Sequence, residues 1–262
     1  MRIRDLLKSA YRSLPAPPST NYQWRTIDVN PYDLIPRNAT IFDIGSKSAR
    51  GSYAFGSPPA DATLVCVDIF PGEGVDLVAD VHDLSMVQDE SVDCVVAVDL
   101  LQHIHRPHKA VSELFRILKP GGVLYITSPF IYPFHSDPYD FHRFSCDGLA
   151  VLCERFERVD SGFNRGPAST FCHLSVHFFA LLLSMNNSAL QTANLYVFRW
   201  LLFWIKYLDV FLAKYKMAKT LHNGAYFIGR KPSSGPAGGC LVPDGSSSTE
   251  SGVGARRIHP AA

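Results

Sequence analysis

This 262-residue chain has no surplus of either charge: 25 Lys and Arg stand against 24 Asp and Glu, a formal net charge of +1. A nucleic-acid binder needs a basic excess to neutralise phosphates, and none is visible. There is no Cys-x-x-Cys pair and no metal-ligand spacing among the six cysteines, which are scattered at 66, 94, 146, 153, 172 and 240. Cys66 and Cys94 fall inside apolar runs, where cysteine behaves as a small buried hydrophobe. No clean run of ~20 apolar residues is present, so no transmembrane span is expected. The first residues, Met1-Arg-Ile-Arg-Asp-Leu-Leu-Lys8, are too short and too charged for a signal peptide. No internal repeat is apparent. These features predict a cytoplasmic protein with reduced thiols.

What is present begins with Ala39-Thr-Ile-Phe-Asp-Ile-Gly-Ser46 and, about twenty residues later, Thr63-Leu-Val-Cys-Val-Asp68. Each is a short apolar run ending at an acid or a glycine, the pattern of a buried parallel strand breaking into a loop. An acid at the end of the second such strand is suited to hold two ribose hydroxyls. Strands are expected at 40–44, 63–68, 76–79, 92–98, 122–128 and 156–162, and helices at 107–118 and 145–154. The alternation over 38–165 indicates an α/β fold, a doubly wound parallel sheet. The first of these helices carries apolar residues at 110, 111, 114, 115 and 118 and stops at Lys119-Pro-Gly-Gly122. Ser145 is placed to cap the second.

The segments Val78-Ala-Asp-Val-His-Asp-Leu84, Ser91-Val-Asp-Cys-Val-Val-Ala-Val-Asp99, Leu101-Gln-His-Ile104 and Ile117-Leu-Lys-Pro-Gly-Gly-Val-Leu-Tyr-Ile-Thr127 follow in a telling order. In that order, over about residues 22–231, the chain resembles the class I S-adenosylmethionine-dependent methyltransferases. The resemblance implies a mostly parallel seven-stranded Rossmann-like sheet, with S-adenosylmethionine as cofactor. Asp43, Gly45 and Ser46 match the start of the family's glycine-rich loop, where glycine lets the backbone approach the ligand. The family pattern continues with more glycines, whereas here Ser46-Lys-Ser-Ala-Arg50 precedes Gly51. Asp68 matches the ribose-binding acid, with Ile69 after it. Asp80 and Val81 match the adenine edge. Asp99 to His103 match the loop lining the cofactor and facing the acceptor, and Gln102 stands where Glu is frequent.

The most distinctive stretch is Ser128-Pro-Phe-Ile-Tyr-Pro-Phe-His-Ser-Asp-Pro-Tyr-Asp-Phe-His-Arg-Phe-Ser145. It resembles the loop after the fifth strand in methyltransferases associated with bacterial surface-polysaccharide synthesis. His135 is the candidate general base, since an imidazole can take a proton near neutral pH. Asp140 is placed to orient it, and Tyr139, His103 and Arg143 are candidate acceptor contacts. Asp140 and Arg143 lie three residues apart, so they can equally pair to brace the loop. His103, His105 and His108 assemble no coherent zinc ligand set, and no metal is expected.

Three segments stand apart from the methyltransferase domain expected at 22–231. Residues 1–21 read as a basic helix and a Pro-rich linker, and 232–262, rich in Ser, Gly and Pro, as a disordered tail. Residues 168–222 read as an apolar helical insert before the last strand. Between Arg165 and Arg199 there is no Asp, Glu, Lys or Arg, and 195–212 holds three Phe, two Trp and two Tyr. On one continuous helix, Arg199, Lys206, Asp209, Lys214 and Lys216 would share an arc opposite an aromatic face. Such a helix can lie in a membrane interface, cover the sheet or form a homodimer contact. The expected function is methyl transfer to a hydroxyl or carboxylate of a small-molecule or lipid-linked glycan at the inner membrane face. Two alternatives are methylation of a lipid or small hydrophobic metabolite, and a non-catalytic membrane-associated protein that keeps the fold.

Overall fold

The computed structural model describes residues 15–21, 27–46, 51, 53 and 55–233. Most of the expected N-terminal helix, the loop residue Lys47, and the tail from 234 onward lie outside these residues. Seven strands form one sheet: β1 (Thr40–Ile44), β2 (Thr63–Asp68), β3 (Leu77–Val78), β4 (Val92–Ala97), β5 (Leu118–Pro129), β6 (Glu157–Arg165) and β7 (Gly224–Arg230). Their spatial order is β3-β2-β1-β4-β5-β7-β6. The first five pair in parallel, and β7 runs antiparallel between β5 and β6. Between β1 and β4 the winding reverses. At such a switch point a cleft opens at the carboxyl ends of the strands.

Period-two alternation divides the core between the two faces of the sheet. One face buries Phe42, Ile44, Val95, Leu124 and Ile126 beneath α1 (Pro107–Ile117) and α2 (Cys146–Leu152). The other buries Ile41, Cys94, Val96, Tyr125 and Ile228 with Tyr32. Helix α1 forms as expected: Pro107 opens it, and Ala110, Val111, Leu114 and Ile117 make its buried stripe. Ser145 caps α2 by accepting from the Gly148 amide at 3.1 Å. Two expectations need correction. Strand β5 starts at Leu118 because that residue pairs with Val92, and a register shift absorbs 119–122 before Val123 joins Cys94. Among the described residues, helices separate the strands only after β4. The β1–β2, β2–β3 and β3–β4 connections contain none there.

Between β6 and β7 the chain folds into α3 (Pro167–Leu182), α4 (Ser188–Leu202), a 3-10 segment Phe203–Leu208, the short α5 (Asp209–Leu212) and a 3-10 turn Lys216–Thr220. The single helix expected through 195–212 is therefore broken after Leu202. The break reverses the expected facing of two charges. Lys206 and Asp209 are buried, while Trp200, Leu201 and Trp204 are exposed. Asp209 is buried because its two carboxylate oxygens accept the Ala168 and Ser169 amides, each at 2.8 Å. These are free N–H groups at the start of α3, which also carry the positive end of the helix dipole. Gly166 is required beside them, since a Cβ there would lie 2.5 Å from Asp209 Oδ1. Lys206 Nζ donates to the Ser19 carbonyl at 2.7 Å, and Thr20 Oγ1 meets His173 Nδ1 at 2.8 Å. The N-terminal strap is thus laced across the helices.

Asp209→Ala removes two charge-assisted hydrogen bonds from a buried helix terminus, worth roughly 3 kcal/mol together. Thermal unfolding should shift down by about 6–12 °C for a domain of this size. A shift within ~1 °C would show that α3 does not depend on this cap.

Candidate active site

At the carboxyl ends of β1, β2 and β4 lies a cavity of about 500 Å³. Its walls include Gly45, Asp68, Ile69, Asp80, Val81 and Asp99. Gly45 donates to the Val67 carbonyl at 2.7 Å and sits at φ +73°. The positive φ favours glycine there, and a Cβ would also come within 2.7 Å of Leu100 Cδ1, which would have to move aside. Asp68 ends β2 almost buried; its Oδ1 accepts the Phe70 amide at 3.0 Å, and its other oxygen has no protein partner among the described residues. Asp80 Oδ1 accepts both the amide and Nδ1 of His82, at 2.9 and 2.7 Å. Partial burial pushes the Asp80 carboxyl up, but the two His82 hydrogen bonds outweigh it and hold it below its ordinary range. Ile69, Phe70, Tyr139 and Phe141 line the cavity yet are strongly exposed, leaving an apolar slot open for a flat ring.

Asp43 has a different place. It is fully buried, accepting the Gly51 amide at 2.5 Å and the Tyr53 hydroxyl at 2.6 Å. It therefore fastens the loop after β1 from below rather than lining the cavity. Ser46 follows Gly45 half-buried at the start of that loop.

A second, smaller pocket of about 160 Å³ adjoins the first, and Asp99 and His103 line both. Its other walls are Gln102, Tyr132, His135, Asp140, Arg143 and Arg165, with Pro129. Asp99 occupies a left-handed backbone conformation, φ 49°. Its amide donates to Thr127 Oγ1 at 2.9 Å, and its carboxylate is bridged by the Thr127 hydroxyl and Arg165. Arg165 is the last residue of β6, so three strand ends converge on this one side chain. His103 Nδ1 bonds the Tyr139 carbonyl at 2.6 Å, and its Nε2 lies 3.1 Å from the Gln102 amide nitrogen. Both ring nitrogens are therefore engaged.

His135 is free by comparison. Its imidazole lies beside the rings of His103 and Tyr132, centroids 6.1 and 6.4 Å away, and has no hydrogen-bond partner among the described residues. Asp140 reaches the His135 backbone, accepting its amide at 2.7 Å, and not the ring. Both Asp140 oxygens also receive Arg143, whose guanidinium holds the carboxyl below the usual range. Arg143 further donates to the His142 carbonyl at 2.8 Å and the Pro133 carbonyl at 3.2 Å. All four of its amino hydrogens are committed to the loop, so it serves as a brace. Tyr132 stacks on His173 of α3, ring centroids 4.5 Å apart, and burial drives His173 down to about 3 and keeps it neutral. Arg165, Tyr132 and Thr127 escaped the sequence reading. The one signal for Arg165 was its position as the last charge before the uncharged stretch.

Residues 42–126 match the family described as a methyltransferase domain. Over those residues the chain carries a methyltransferase domain. No curated protein matches the chain. Among solved structures, it is similar to a putative sarcosine dimethylglycine methyltransferase from Galdieria sulphuraria, at 16% identity and a TM-score of 0.50, covering 77% of this chain and 82% of that one. It is also similar to phosphoethanolamine N-methyltransferase 2 from Haemonchus contortus in complex with S-adenosyl-L-methionine, at 16% identity and a TM-score of 0.45, covering 76% and 50%. At such identities the first likeness shows the fold. In this methyltransferase the larger cavity fits the nucleoside part of the donor, because its volume is of ligand size. Gly45, Asp68 and Asp80 all line this cavity, together with the apolar Ile69, Phe70 and Phe141.

Asp68→Ala should weaken S-adenosylmethionine binding about tenfold to a hundredfold, since charge-assisted hydrogen bonds to the ribose are worth roughly 1.5–3 kcal/mol. Calorimetric titration checks this. An unchanged dissociation constant in a folded variant would remove Asp68 from the site.

Proposed function

We propose that the protein O-methylates a hydroxyl of a sugar unit within a glycan, one borne on a lipid at the inner membrane face. The observation that carries this reading is the chemistry of the smaller pocket. Its two arginines are already matched, Arg165 with Asp99 and Arg143 with Asp140, so the formal charges cancel. A carboxylate acceptor would bring another negative charge beside two carboxylates with no uncommitted cation to meet it. A hydrophobic metabolite would leave the buried Gln102 side-chain oxygen, which has no partner among the described residues, without one, which is costly. A neutral polyol suits such walls, because each hydroxyl both donates and accepts. At about 160 Å³ the pocket is smaller than the ~300–1,000 Å³ of sites that enclose a whole ligand. It suits one unit of a larger acceptor whose remainder lies outside.

S-adenosylmethionine supplies a methyl already activated on a sulfonium, so positioning is the main task left to the chain. Asp68 would hold the ribose, Asp80 and the Val81 amide the adenine edge, and Gly45 the close backbone approach. Asp99 and His103, common to both cavities, would form the wall where acceptor and methyl meet. A sugar hydroxyl is a weak acid and needs a base as it attacks. His135 suits that role by availability: its imidazole is uncommitted, whereas both nitrogens of His103 are engaged. Asp140 and Arg143 would set the loop that presents His135.

His135→Ala should lower kcat about 10²–10⁴-fold, the usual cost of losing a general base, with cofactor affinity unchanged. The assay uses labelled S-adenosylmethionine and a cell-envelope glycan extract, followed by identification of the labelled product. Normal turnover by the variant across the pH range would reduce His135 to loop structure. A labelled product that is a free carboxylic ester or a fatty-acid derivative would replace the sugar hydroxyl as acceptor.

A further inference from the structure

The helices between β6 and β7 leave an apolar surface uncovered. Phe178, Leu181 and Leu182 of α3, Leu201 of α4, and Trp204 beyond it are all strongly exposed. The exposure continues toward β7: Phe211 of α5 is 66% exposed, and Tyr215 and Met217, at the start of the turn after it, are 61% and 70% exposed. Solitary exposed apolar residues need no explanation, but so many on helices packed against one another mark an interaction surface. No helix among the described residues is long and apolar enough to cross a membrane.

Charge identifies the occupant. Within 166–222 the basic residues are Arg199, Lys206, Lys214, Lys216 and Lys219, and the only acid is Asp209. Asp209 is buried against the start of α3, so it contributes no negative charge to the surface. Lys214, Lys216 and Lys219 are exposed and alternate with the exposed Tyr215 and Met217. The chain as a whole is nearly neutral, which makes this segment a local concentration of positive charge. A second copy of the chain is a poor partner, because a two-fold interface would set the same lysines against themselves. Trp, Phe and Tyr beside exposed lysines are the composition of a surface that enters the headgroup layer of an anionic bilayer.

We propose that Phe211 to Leu221, with the exposed faces of α3 and α4, docks the protein peripherally on an anionic lipid surface. The lysines would meet headgroup phosphates, while Phe211, Met217 and Trp204 enter the acyl boundary. Helix α3 leaves directly from Arg165 and stacks His173 on Tyr132, so the docked surface and the smaller pocket share one rigid element. For its purpose this rests on the proposed lipid-borne acceptor; as a binding event it does not.

The test is flotation of the full chain with vesicles of phosphatidylcholine alone and of phosphatidylcholine mixed with phosphatidylglycerol, without cofactor or acceptor. The wild-type chain should bind the mixed vesicles at least ~10-fold more tightly, and added salt should weaken that binding. Combining Lys214→Glu, Lys216→Glu and Lys219→Glu should lower it on the order of a hundredfold. Phe211→Ser with Met217→Ser should lower binding at both low and high salt. All positions changed are exposed, and thermal unfolding confirms that each variant is folded. Absence of binding by folded wild-type chain, binding indifferent to lipid charge, or a dimer in size-exclusion chromatography that no longer floats would each overturn the proposal. Failure here leaves methyl transfer to a glycan untouched, and a different methylated product leaves the docking surface untouched.

Discussion

The Asp99 side chain joins the ends of three strands. It follows β4, receives the Thr127 hydroxyl from β5 and the guanidinium of Arg165 from β6, and lines both cavities. Its left-handed backbone is unusual for a residue other than glycine. That conformation is held by the Thr127 contacts and the ion pair together. Because Arg165 is mostly buried and Asp99 is its ionic partner, separating them would leave a charge in a low-dielectric site. The shape of the donor cavity, the charge balance of the smaller pocket and the departure of α3 all depend on this knot.

Two further carboxylates perform similar tasks at either side of it. Asp43 fastens the loop after β1 through Gly51 and Tyr53. Asp209 fastens α3 through the Ala168 and Ser169 amides. In each case a buried charge is tolerated because backbone N–H groups or hydroxyls solvate it in place of water. The carboxylates with protein partners on every side thus build the scaffold. Asp68 and Asp80, each with an oxygen that no described residue engages, are the ones in the larger cavity available to a ligand. The same accounting separates Arg143, whose amino hydrogens are all committed, from an acceptor clamp.

The helices between β6 and β7 show how burial and charge can be exchanged. The amide-bound Asp209 and the carbonyl-bound Lys206 are turned inward, and large aromatics are turned outward. Such an arrangement is unfavourable in water unless something covers the aromatics. It also removes the only acid of the segment from the surface, while Lys214, Lys216 and Lys219 stay exposed there.

The strand positions from β1 to β6 could be read from the sequence by itself, because they rest on local signals, and the donor followed from the resemblance of the ordered motifs to a known family. Apolar runs ending at Gly45, Asp68 and Asp99 mark strand ends, and Pro107 and Ser145 mark helix starts. The candidacy of Asp68 followed from its spacing beyond the glycine turn, and that of Asp80 and His135 from the family resemblance. Tertiary structure alone decided which charged groups remained available. Nothing near Asp43 or Asp209 in sequence reveals that each is consumed by amides and hydroxyls eight to forty-one residues away. Nor does the apolar periodicity of 195–212 reveal the break after Leu202, where an inward pull on Lys206 and Asp209 outweighs helical continuity. Periodicity reports which residues can share a face. Only long-range hydrogen bonds to buried backbone determine which face is turned to the solvent, and so which residues are left to meet a ligand or a membrane.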